Sequence, residues 1–264
     1  MYPLLLGRFD SLFVVWGAAV LCGMVLAFML ASRDGHDPDR AFLAVVLIAF
    51  VFVLGTKIHF WWANRDLVQQ AGGMTHLLLY GFHFPGGIVL TVVAAPLLLR
   101  AVGLQPFAFF DSIAPAVGLA IAVARLGCFA NGCCFGYVSH APWALSFPVG
   151  SRAFAHHLEH GLVGSEATYS QPVLPLSLFF SIAALLIGVA LWRWRPHRQF
   201  VGQLALGFVA MWSTSNVAIE YWRDPIMVPG SPHLWTLSLA IAALSVPALL
   251  LLSYRFRGRS MPLR

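Results

Sequence analysis

Charge is what this sequence has least of. Of its 264 residues, 10% are charged, against about 25% in a soluble domain. Lysine is all but missing, with Lys57 the single example. So little charge excludes a water-soluble globule, because there is too little polar surface to cover one. Cysteine is scarce as well. Cys22 lies inside an apolar run, and Cys128, Cys133 and Cys134 gather at one place, which excludes a disulfide framework. No repeat or low-complexity tract stands out. The first apolar run is followed by further runs and not by a soluble domain, so no cleaved signal peptide is expected.

What is present is apolar. Hydrophobic residues make up 59% of the chain and aromatics 14%, with nine Trp, and the mean hydropathy is +0.80. Rings in such number suit membrane–water interfaces. A helix needs roughly 20 apolar residues to cross the hydrocarbon core. Seven stretches meet or approach this: about 11–32, 41–62, 77–99, 107–124, 173–192, 202–222 and 234–254. Pro85, Pro96 and Pro115 interrupt the third and fourth, which is tolerable where neighbouring helices re-satisfy the backbone. The expected architecture is an all-α integral membrane protein with seven transmembrane helices, organised as one polytopic domain over 1–264. A small extracytoplasmic loop region at about 125–172 is expected with it.

The net charge of +6 does not imply a nucleic-acid partner, because the basic residues sit in short loops between apolar runs, as topology signals do. On one side fall Arg33, Arg40, Arg100, Arg193, Arg195, Arg198, Arg255, Arg257, Arg259 and Arg264. The other side holds Arg8, Arg65, Arg152 and Arg223. This asymmetry places the C-terminus in the cytoplasm and the N-terminus outside.

Ionisable groups inside a bilayer are costly and by default mark function. Asp111 falls near the start of the fourth span, Lys57 and His59 late in the second, His83 in the third, and Glu220 near the end of the sixth, followed by Arg223. Lys57 and Arg223 can instead snorkel to the interface, whereas the two acids are too short to reach far and call for partners in the bundle. The densest signal runs from Ala124 to Gly136: ARLGCFANGCCFG. Its glycines permit close approach of backbone to a ligand, and Arg125 offers a planar fork of donors suited to phosphate. The alternative is a Gly-rich turn with thiols packed as small hydrophobes.

The stretch Arg125 to Gly132, closed by Gly136, resembles the signature of bacterial prolipoprotein diacylglyceryl transferase, whose usual form is G-R-x-G-N-F-x-N-x-E-x-x-G. Asp111-Ser112-Ile113-Ala114-Pro115 is similar to the family's Asp-x-x-Ala-Pro, and Glu220 to Pro225 to its E-x-x-R-x-P. Phe147-Pro148 with Gly150-Ser151-Arg152 matches the outer segment after the signature. Val15-Trp16-Gly17 and Gly55-Thr56-Lys57 stand where the family has Trp-Tyr-Gly and Gly-x-Arg. The departures are equally specific. Ala124, Cys128 and Cys133 replace the signature's first Gly, first Asn and Glu. Pro85-Gly86-Gly87 replaces His-Gly-Gly, with His83 two residues upstream. Leu174 to Phe180 replaces H-P-x-Q-L-Y-E, and Asn216 stands for an arginine. The chain resembles a divergent, cysteine-rich branch.

The resemblance implies an enzyme of the bacterial inner membrane. It would move a diacylglyceryl group from phosphatidylglycerol to a cysteine thiol in the signal peptide of a lipoprotein precursor, without a cofactor. It implies catalytic roles for Arg125, Glu220 and His83, the last as base, and substrate contacts from Lys57, Asp111, Asn131, Gly132, Gly136 and Arg223. The alternative is a divergent member that lacks this reaction, acting as a lipid-binding or transport protein or on another lipid or thiol substrate. His156-His157-Leu158-Glu159-His160 matches H-x-x-E-H, which in inverted zinc proteases carries metal, but a third ligand is not identifiable, so no metal is expected. Loss of two polar groups to thiols suggests a disulfide from Cys128 to Cys133 or Cys134 that stiffens the loop.

Overall fold

In a computed structural model, residues 4–5, 9–66, 84–224 and 232–256 are described. A two-residue antiparallel pair, β1 (Leu4–Leu5) with β2 (Phe9–Asp10), precedes the helices. These are α1 (Ser11–Arg33), α2 (Pro38–Ala63), α3 (Phe84–Ala101), α4 (Pro106–Asn131), the short α5 (Arg152–Glu159), α6 (Leu176–Trp194), α7 (Gln203–Glu220) and α8 (Pro232–Arg255). Among the described residues six helices are long and apolar enough to cross a membrane. The remaining expected span, the sixth in order, is α7, whose 18 residues carry Ser213, Thr214, Ser215 and Asn216. Their side chains satisfy themselves by bonding back to carbonyls three or four residues earlier. Large apolar side chains such as Leu21, Val92, Leu186 and Leu250 face outward. Such faces are unfavourable in water and natural in lipid. The protein is a multi-pass membrane protein.

Two boundaries depart from expectation. The third span is described only from Phe84, so residues 77–83 lie outside the described residues. The fourth runs on to Asn131 and absorbs residues 125–131, the start of the segment expected to leave the membrane as loop. Nothing in Leu126, Cys128, Phe129 and Ala130 breaks a helix, packing of Gly127 on Val15 and Trp16 and of Phe129 on Phe147 carries it on, and Gly132, at φ 70°, ends it.

The chain falls into two compact units. One gathers Met1–Gly23 with Ala114–Leu263. Here α4 and α6 cross closely. A Cβ on Gly118 would stand 2.8 Å from the Cα of Gly188, so only paired glycines allow the contact, as in small-residue membrane interfaces. Ser181 Oγ donates across the same crossing to the carbonyl of Ala122 at 2.8 Å. Ala114, Ile187, Leu191 and Leu204 form the core beside it. In the connection between α4 and α6, Phe135, Phe147, Ala153 and Val173 make a second core, and Ser151 caps α5 by accepting from Phe154 N–H.

The other unit is Met24–Ile113. Asp37 accepts from Arg40 N–H to cap α2, with Pro38 in the first turn. Gly55 of α2 abuts Gly86 of α3, and His59 Nδ1 accepts from Gly86 N–H at 3.1 Å. Asp111 is fully buried in this unit.

Candidate functional site

The site is built where α4 ends. Gly132 N–H bonds to the Phe129 carbonyl at 3.1 Å, and Cys133 N–H reaches back to the Cys128 carbonyl at 3.0 Å. That pair of bonds is a Schellman termination, in which the residue after the glycine touches the one five positions earlier. Here those two residues are both cysteines. Cys134 then takes φ 57°, the one non-glycine residue in the left-handed region among the described residues. Its thiol joins the other two, and the three sulfurs lie within 4.8 Å of one another. They are free thiols, so the expected disulfide is not formed.

The following loop is clamped. Ser177 Oγ donates to the Cys133 carbonyl at 2.9 Å, and Ala153 N–H donates to the Gly132 carbonyl at 3.1 Å. Gly136 pairs with Arg223 in an antiparallel bridge. A Cβ there would stand 2.5 Å from the Trp222 carbonyl oxygen, which is why glycine occupies the position.

Two guanidinium groups meet this loop. Arg125 lies over the Phe180 ring at 4.5 Å, and its Nη1 is 3.9 Å from Cys134 Sγ. Arg223 forms a two-pronged pair with Glu220, Nη2 to Oε1 at 2.6 Å and Nε to Oε2. Both side chains of the pair are about nine-tenths buried (11% and 12% exposed). Burial pulls the Arg223 pKa down, but its bonds to Glu220 and the sulfur of Cys134 outweigh this and raise it. Hydrogen bonds from Cys128 and Cys133, then the charges of Arg125 and Arg223, hold Cys134 well below the usual thiol range against the effect of burial. Its bonds to Cys128 and Cys134, with burial, push Cys133 up. The cluster therefore sets Cys134 beside two cations, Arg125 and Arg223.

Of the residues singled out from the sequence, Arg125, Asn131, Gly132, Gly136, Glu220 and Arg223 belong to this unit. Lys57 and Asp111 belong to the other unit, and His83 lies outside the described residues. The H-x-x-E-H residues gather no metal-like donor group among the described residues. The rings of His156 and His160 lie 4.3 Å apart, tilted at 39°. His157 turns inward, fully buried, and accepts from Gln171 N–H. Sequence reasoning missed Ser177 and Phe180, since 174–180 read as a block stripped of polar function. The sequence does bring Cys128, Cys133 and Cys134 together, but as a disulfide brace, where the structure holds three free thiols.

Fold and site together define a multi-pass membrane protein whose two guanidinium groups and three-thiol cluster lie at one helix end. The sequence profile described as prolipoprotein diacylglyceryl transferase matches residues 10–254, and the chain belongs to that family. Proteins named phosphatidylglycerol–prolipoprotein diacylglyceryl transferase from Brucella ovis, Brucella canis and Brucella abortus are each 32% identical over 171 residues. These matches cover 65% of this chain and 56% of each relative. The chain thus spans little more than half the length of these curated relatives.

Proposed function

We propose that this protein transfers a diacylglyceryl group from phosphatidylglycerol to the cysteine thiol of a lipoprotein precursor. The relatives' names indicate that reaction. In it the acceptor sulfur bonds to the glycerol carbon and that carbon's bond to the phosphate oxygen breaks. Glycerol phosphate leaves with the electron pair, and the thiol proton passes to a base. The leaving phosphate must be held by cations placed beforehand.

One observation supports the assignment above others: Arg125 and Arg223 both bear on a single side chain, Cys134, at the end of α4. Glu220 orients Arg223, and Phe180 fixes the plane of Arg125. A phosphate accepts from such forks in two-pronged fashion. Asn131, Gly132 and Gly136 shape the backbone beside it. The family resemblance also assigns Lys57 and Asp111 to substrate contact and His83 to proton removal; this reading rests on none of the three. In it the chain works as one membrane domain of the bacterial inner membrane, N-terminus outside, with the α4–α6 connection on the outer face.

A second reading has a specific basis. At the position where the resembled family pattern has an arginine, Asn216 bonds its own helix through the Trp212 carbonyl, which leaves one cation fewer for a leaving phosphate. A lipid-binding protein without transfer fits that loss. Mass spectrometry separates the two. A precursor peptide incubated with the protein and phosphatidylglycerol should gain one diacylglyceryl group as glycerol phosphate is released. An unmodified peptide, with phosphatidylglycerol retained by the protein, would establish the binder instead.

A further inference from the structure

We propose that Cys128, Cys133 and Cys134 form a three-sulfur site for a divalent thiophilic metal ion of the zinc type, with a fourth position open. The geometry is close to what the ion requires. Zinc–sulfur bonds of about 2.3 Å place three ligand sulfurs about 3.8–4.0 Å apart, and these three already lie within 4.8 Å of one another. Small side-chain rotations complete the set. The backbone holds them in place: the Schellman bonds join Cys133 to Cys128, and Ser177 fixes the Cys133 carbonyl from α6. The left-handed backbone of Cys134, unusual for a residue with a side chain, turns the third sulfur back onto the other two. Such departures from the common backbone regions concentrate at functional sites.

Charge favours a divalent ion. Three thiolates and one M2+ sum to −1. Arg125 beside Cys134 supplies the one balancing charge, because the charge of Arg223 is already matched by Glu220. Soft sulfur donors select zinc-like ions over magnesium or calcium. Three protein ligands are the number that leaves an open position, as in catalytic zinc sites. The site stands without the transferase assignment. Its use, however, rests on that reading. The acceptor thiol takes the fourth position and loses its proton to water on coordination. Its sulfur then bonds to the glycerol carbon as that carbon's bond to the phosphate oxygen breaks, glycerol phosphate leaves with the electron pair, and the resulting thioether, a weaker ligand, dissociates.

The full chain, purified in detergent and stripped with a chelator, is titrated with zinc alone, and with cobalt(II) as an optical probe. One equivalent per chain is expected, with a sulfur-to-cobalt charge-transfer band and three sulfurs counted by X-ray absorption at the zinc edge. Cys133→Ser and Cys134→Ser should each weaken binding by more than the roughly 10–100-fold that loss of an outer hydrogen-bond partner costs. Cys22→Ser should change nothing, since Cys22 is exposed on α1. Should those serine variants fail to fold, the natural chain still decides: zinc should block alkylation of three thiols and a chelator should restore it. A shell of nitrogen and oxygen only, stoichiometric binding that survives Cys134→Ser, or alkylation indifferent to zinc would each overturn the site. Zinc held on three sulfurs, with no peptide product under any metal condition, supports the site and overturns the transferase reading instead.

Discussion

Replacing Glu220 by Gln removes the charge that keeps Arg223 in place while preserving size. The two side chains are bonded at two points, Nη2–Oε1 at 2.6 Å and Nε–Oε2, and only 11% and 12% of their surfaces are exposed. Removing one partner of a buried pair costs about 3–5 kcal/mol, because the other charge is left uncompensated. Gln retains one acceptor and Cys134 remains near Arg223, so the low end applies. The expected loss is about 3 kcal/mol, or roughly two decades in the folding equilibrium. Arg223→Met should cost a similar amount. The double variant should cost much less than the sum, since no unpaired charge remains, giving a coupling of about 2–3 kcal/mol. Denaturant titration in mixed micelles, with cycles for all four proteins, measures this. Additivity to within about 0.5 kcal/mol would show that the residues do not act as a pair, and the account of how Arg223 is held would fail.

Three further outcomes follow from the same geometry. Arg125→Lys should reduce peptide modification by at least about tenfold with little change in stability, because Lys keeps the charge and loses the planar fork over Phe180; unchanged product in the mass-spectrometric assay would make Arg125 structural. Gly136→Ala should destabilise by about 1–3 kcal/mol through overpacking, as the added Cβ meets the Trp222 carbonyl oxygen at 2.5 Å, and a thermal midpoint equal to that of the parent chain would contradict the tight bridge. Burial first, then the neighbouring His156 and His160 against the opposing Asp224, lowers the pKa of His157. The unfolded chain then binds more protons below the ordinary histidine value of about 6.5, so the connection between α4 and α6 should hold full stability above that pH and lose it as pH falls. Hydrogen exchange across 133–175 at a series of pH values reads this, and His157→Asn, which keeps an acceptor for Gln171 N–H, should flatten the dependence.

The sequence by itself determined the solvent and most of the helices. Apolar runs of membrane length leave a chain no other way to satisfy its backbone, so α1, α2, α6 and α8 lie close to where hydropathy put them. Pairing of Glu220 with Arg223 was also legible, because residues three apart at a helix end are neighbours whatever the fold. Elsewhere the tertiary structure decided. Hydropathy ended the fourth span before Arg125, but packing of Gly127 against Val15 and Trp16 and of Phe129 on Phe147 continues α4 to Asn131. The block from Leu174 to Phe180 looked empty of function, yet Ser177 and Phe180 hold the Cys133 carbonyl and Arg125. Above all, Arg223 reaches Cys134 from almost ninety residues away in the chain. Local patterns report periodicity and helix ends. Which distant side chains share one point depends on how helices cross, and here two glycines facing each other, Gly118 and Gly188, set the crossing of α4 and α6.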